Sequence, residues 1–242
     1  MFRMLTTAAL VCALSLAALA GTAEDAKTRA EAMRSAMKGS DPAAKKAAVE
    51  ACGGAPHAMT ALALMPALTG ETDDLRIAAA QALGKMKNLP EAAKVLAAGV
   101  APNGKKPLVL EAIFKAVQGV RHDASFSSCR SFALSAIATQ DDAYAPSLKA
   151  AIDALAIFRT RDTVEVLITI RAKGAALPRT ILALRDTTES ATTAALEKLT
   201  GESIGDVESF EKWWKRNAYT YNDDMTKRPR VIRRSPDDQP RR

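Results

Sequence analysis

The sequence predicts an all-α solenoid of about five helix pairs, and three observations predict it. Alanine fills about a fifth of the 242 positions. It is the strongest helix former, and its small side chain lets helices pack closely. Apolar residues recur at i, i+3, i+4 and i+7, the spacing of one helix face. Segments of this kind return along the chain with a second apolar stretch between them, and two helices in about 30 to 45 residues form the unit of a helical repeat array. No such pair buries its own apolar face, so each must stack on a neighbour.

The first element is a leader. Arg3 precedes Leu5 to Ala20, a stretch without a charge, and Ala18-Leu19-Ala20-Gly21 ends it with small residues. This is the order of a secretory signal peptide over residues 1–20. The run is short for a membrane span, which needs about 20 apolar residues. An uncleaved anchor or a buried first helix are the competing readings. Cleavage removes Cys12, leaves Cys52 and Cys129, and directs the chain to the periplasm or the medium with no transmembrane span. A disulfide is allowed in an oxidising compartment, yet both cysteines fall at apolar helix positions. Two buried thiols and one bridge both stay open.

Residues 24–39 alternate charge and alanine and read as a solvated lead-in helix. Gly39-Ser40-Asp41-Pro42 ends it and starts another, because proline suits the first turn, where its missing N–H costs nothing. The repeat domain spans 40–218. Its copies are Pro42 to Gly53, Asp73 to Gly84, Val109 to Gln118, Cys129 to Ala138, Lys149 to Ala156 and Thr188 to Leu199. Ala58 to Leu68, Glu91 to Val100 and Asp162 to Ala172 supply partner helices. One stretch resists. Thr163 to Ile170 is rich in β-branched residues with period-two alternation, which favours a strand. Val164, Leu167, Ile168 and Arg171 also share a helical face, and no second strand exists to pair with it, so a helix is expected.

Near the end, Phe210, Trp213 and Trp214 stand at i, i+3 and i+4. Their rings cover one face of a closing helix that Asp206 is placed to cap. They are candidate cap residues for the last repeat; an exposed aromatic platform is the alternative. Residues 219–242 read as a disordered basic tail. Residues 226–242 hold most of the formal net charge of +7, so the body is close to neutral and a basic face for specific nucleic-acid binding is not expected. Arg228, Arg230, Arg233 and Arg234 are the candidate polyanion contacts, since guanidinium groups suit phosphate and carboxylate.

Asp73-Asp74-Leu75-Arg76-Ile77-Ala78-Ala79-Ala80-Gln81-Ala82-Leu83-Gly84 resembles the first helix of a HEAT-type repeat. Ala194 to Gly201, Ile204-Gly205-Asp206 and Phe210 to Asn217 resemble the closing segment of exported bacterial HEAT-repeat proteins. The resemblance implies a HEAT-like solenoid that serves as a scaffold for an unidentified protein partner. It implies no catalytic residues. The tail adds a second expectation, binding to an anionic envelope polymer or lipid headgroups.

Reactive chemistry is sparse. The chain has two histidines and three cysteines, too few for a His-rich metal centre, and it shows neither a glycine-rich phosphate loop nor a Gly-x-Ser-x-Gly elbow. His122-Asp123 precedes Ser125, Ser127, Ser128 and Cys129, but a nucleophile needs a base and an oxyanion site that meet in space. Arg121-His122-Asp123 reads as a polar loop. Cys52 with His57, or His122 with Cys129, offers at most half of a zinc set. Asp73-Asp74 and Asp141-Asp142 precede helices, where the dipole favours carboxylates. No cofactor, no metal and no enzyme activity are expected.

Overall fold

The structure is a computed structural model that describes residues 23–203 and 207–228. The leader at 1–20, Asp206, Arg230, Arg233 and Arg234 lie outside the described residues.

Among the described residues twelve α-helices follow one another: α1 (23–38), α2 (Pro42–Gly53), α3 (Ala58–Ala63), α4 (Met65–Leu68), α5 (Asp73–Gly84), α6 (Pro90–Val100), α7 (Pro107–Val117), α8 (Asp123–Thr139), α9 (Ala145–Leu155), α10 (Arg161–Ala175), α11 (Leu182–Thr200) and α12 (Val207–Asn217). The helix starts follow local chemistry. Asp41 accepts from the N–H of Ala43, and Pro42 opens α2. Thr72 caps α5 and Thr160 caps α10. Pro66 has no N–H to continue the helix from α3, so the chain breaks at Leu64 and restarts as α4. Gly201, at φ +73°, ends α11 in the left-handed region that glycine adopts without penalty.

The helices stack in two rows. α2, α5, α7, α9 and α11 pack in succession to form one row; α3 with α4, then α6, α8, α10 and α12, form the other. This is an all-α solenoid. Each helix meets its pair-mate and the neighbours before and after it. One continuous core therefore runs along the stack, from Ala30 to Met225.

Alanine and glycine set the spacing of the α2 row. A Cβ on Gly84 would sit 2.9 Å from the Cβ of Ala116, and one on Gly119 only 2.7 Å from the carbonyl oxygen of Gly84. Backbones touch there, and no larger residue fits without a shift. Between the rows, larger side chains fill the gap, with Phe114 and Phe132 ring centres 4.6 Å apart. A polar tie crosses the second and third pairs. The buried Asn103 amide donates to the carbonyls of Leu68 and Gly99, and its oxygen accepts from Arg76 at 2.8 Å. Arg76 also donates to the carbonyl of Gly70.

Three expectations are corrected. The lead-in helix is not solvated all round: Ala26, Ala30 and Met33 are buried, and Arg29 donates to the carbonyl of Ala51. Its charges occupy the outer face only. The copy at Cys129–Ala138 belongs to α8, in the row opposite the other copies. An i, i+4 pattern marks any half-buried helix and does not report which row it joins. The ordered fold also continues past 218. Residues 218–220 form a 3₁₀ turn, Tyr221 bridges to Lys227, and Tyr221 and Met225 are buried. The resistant segment is helical, as its face predicted. Val166 and Ile170 are buried as well as Val164, Leu167 and Ile168, because α10 is packed against α8, α11 and α12.

Candidate functional site

The α2 row presents a groove between α5 and α7 with a volume of about 530 Å³. Its walls are Ile77 and Gln81 from α5, and Leu108, Glu111, Ala112 and Lys115 from α7. Its floor carries Gly84, Ala116 and Gly119, the small residues that let the two backbones meet. Leu108 is 67% exposed, an uncovered apolar side chain at the mouth. Lys115 pairs with Glu111 at 2.6 Å across one helical turn, while Lys85 stands exposed at the end of α5. The groove is apolar in its centre and cationic at one end.

The opposite row has its own groove between α6 and α8, of about 430 Å³. Ser127, Ser131 and Ser135 line it at successive turns, and the Tyr144 hydroxyl donates to the carbonyl of Gly104 at 2.9 Å. It is the more polar of the two.

The other singled-out residues take structural places. His57 and His122 cap α3 and α8: each Nδ1 accepts from the backbone N–H two residues on, at 3.1 Å. Each imidazole is thereby oriented toward a helix start. Asp141 caps a 3₁₀ turn, and Asp142 accepts from the N–H of Leu184 at the start of α11. Asp73 pairs with Lys106. Cys52 and Cys129 are free, buried and lie on α2 and α8, three pairs apart in the stack. Burial pushes the Cys129 thiol from 9.0 up to about 12. Among the described residues, no three of His, Cys, Asp and Glu converge as a metal-binding group.

The aromatic trio sits at the end of the stack. Phe210 and Trp214 are buried and Trp213 is half-buried. Tyr221 completes the group, 5.7 Å from Trp214, and its hydroxyl donates to the carbonyl of Thr200. Lys227 lies 5.9 Å over the Tyr221 ring and pairs with Glu202 at 3.0 Å. Sequence reasoning missed Tyr221, because it placed it in the tail. Arg228 is exposed, and its backbone N–H donates to Thr220.

Sequence reasoning also missed Leu108. Its signal is phase: Val109, Leu110, Ile113 and Val117 face inward, and Leu108 falls on the opposite side of the same helix.

Residues 30–118 match the model of the HEAT-repeat family. The match begins at Ala30, inside α1, and ends just after α7. Beyond 118 the same two-row stacking continues. No curated protein and no solved structure matches the chain. The matched segment holds every residue of the α5–α7 groove except Gly119.

Proposed function

We propose that the protein is a non-catalytic scaffold that receives a protein partner in the groove between α5 and α7. One observation carries this reading: Leu108 is exposed at the mouth of a groove whose floor is kept clear by Gly84 and Gly119. Helix-in-groove recognition uses apolar anchors set into such a trough. HEAT arrays commonly bind proteins along the row whose helices lie closest, the inner side of their curve. Here that is the α2 row, where backbones touch. The leader at residues 1–20 supports export to the periplasm or the medium as the place of action.

The test is a photoreactive residue at position 112, in the groove, compared with one at position 62 on α3, where Leu62 is also exposed. A partner is expected to crosslink at 112 and to be lost with Leu108→Glu. Equal crosslinking at 62, or retention in Leu108→Glu, overturns the reading.

A second reading rests on the arginines. Arg228 is exposed just after a turn tied by Lys227 and Glu202, and Arg230, Arg233 and Arg234 follow it in sequence. In this reading the helical body is a carrier, and an anionic envelope polymer or lipid headgroup is the ligand. Its binding weakens steeply with salt.

A further inference from the structure

Lys45 is the odd residue of α2. It stands in phase with Val49 and Cys52, on the face that enters the core, and it is only 6% exposed. A buried ammonium is stable only when its hydrogen bonds are met. Among the described residues Lys45 makes one, to Glu71 Oε2 at 3.3 Å. That is the longest ion pair described in the fold, and the Glu71 side chain is 83% exposed, the most accessible of the acidic partners. A lysine ammonium has three donors. A single long bond to a carboxylate on a surface loop leaves donor capacity unused in a buried place.

The ammonium also borders an open cleft. A cavity of about 370 Å³ lies between the first turns of α2 and α5, with Lys45, Glu71, Pro42, Ala43 and Leu75 in its wall. Pro42, Ala43 and Leu75 make part of that wall apolar. The caps Asp41 and Thr72 already accept from the N–H groups of Ala43 and Leu75, while the first turns of the two helices bring their positive dipole ends to the cleft, which favours an anion. Asp74 in the wall opposes one, and Lys46 offsets it. The remaining negative group is Glu71 itself.

We propose that this cleft binds a carboxylate carried on an apolar stem, which replaces Glu71 as the partner of Lys45. Glu71 is then a built-in stand-in that holds the ammonium until the ligand arrives. Two sources share this chemistry: the C-terminal carboxylate of a partner chain, or an acidic side chain within one. The site is independent of the α5–α7 groove.

The experiment is a titration of the full chain with three probes, followed by amide chemical shifts. The probes are acetyl-Leu-Val-Ala as free acid, the same peptide as its amide, and an amidated peptide with one internal Glu. The free acid or the Glu peptide is expected to shift the amides of Ala43 to Lys46 and Thr72 to Leu75, and the amide not to. Which of the two acids binds identifies the source. Glu71→Gln, an exposed change, is expected to tighten binding several-fold, and Lys45→Met to abolish it. Lys45→Met keeps the stem and removes the buried charge, and the Glu71 carboxylate it leaves unpaired is 83% exposed, so no charge is stranded in the core. Circular dichroism checks that it folds. No shift with either acid in the native chain and in Glu71→Gln overturns the proposal, as does binding that survives Lys45→Met. Leu108→Glu is expected to leave the shifts unchanged, so the failure of one site does not imply the failure of the other.

Discussion

Cys129 shows how burial fixes a residue's chemistry. Its thiol is enclosed on α8, and desolvation raises it from 9.0 to about 12. Cys52 is raised too, first by desolvation, with the Arg29 guanidinium pulling the other way. Tyr221 is raised from 10.0, again mainly by desolvation. All three groups hold their protons longer folded than unfolded. The stability they contribute is therefore complete below about pH 9 and declines as pH climbs toward 12. Urea midpoints measured across that range should fall steadily. Cys129→Ala should flatten the fall, whatever it costs at neutral pH; an unchanged slope would mean the buried thiol is not a source of the alkaline loss. The same burial predicts that neither thiol reacts with an alkylating agent until the chain unfolds.

A helix here is defined as much by its start as by its face. α8 begins at His122, whose Nδ1 accepts from Ala124. Histidine is an uncommon cap, and it works because it supplies a ring acceptor at the reach of an aspartate oxygen. His122→Ala should cost about 1 kcal/mol and His122→Asn should recover most of it, by urea unfolding. A larger loss shared by both variants would assign the imbue of stability to ring packing instead. At this scale the sequence was a good guide. The helical face of Val164, Leu167 and Ile168 outweighed the β-branched run, because tertiary packing on three neighbours decides over local propensity. Its limits are also physical. Apolar phase separates inside from outside but not one row from the other, which misplaced Cys129–Ala138. Charge density hid the buried stripe Ala26, Ala30 and Met33. The groove was less legible than the fold, since it depends on two helices meeting; only Leu108, out of phase on α7, and Lys45, in phase on α2, signalled surface and core exceptions.

Along the whole stack, stability is a sum of neighbour contacts, so the ends matter most. One end is closed by α12 and the turn that carries Tyr221 and Met225. A chain cut after Arg228 should melt at the same temperature as the full chain. A chain cut after Asn217 loses both buried residues and the bond to Thr200, and should melt several degrees lower and expose apolar surface to a hydrophobic dye. Equal melting of the two cut chains would show that the turn is ornament. The chain cut after Arg228 also separates the two functional readings: retained partner binding places it on the helices, and loss of salt-sensitive binding places it on the arginines.

The contact between Gly119 and the Gly84 carbonyl has a mechanical meaning as well. Two backbones already in contact cannot be pressed closer, because repulsion rises steeply inside the van der Waals distance. In the opposite row Gly99 of α6 meets the Leu68 side chain of α4, and a side chain yields by changing rotamer. At α5–α7 the array therefore behaves as a spring with a stop: it can straighten under load, but it cannot curl further. A partner that fills the groove would wedge these helices apart, working in the one direction that the spring allows.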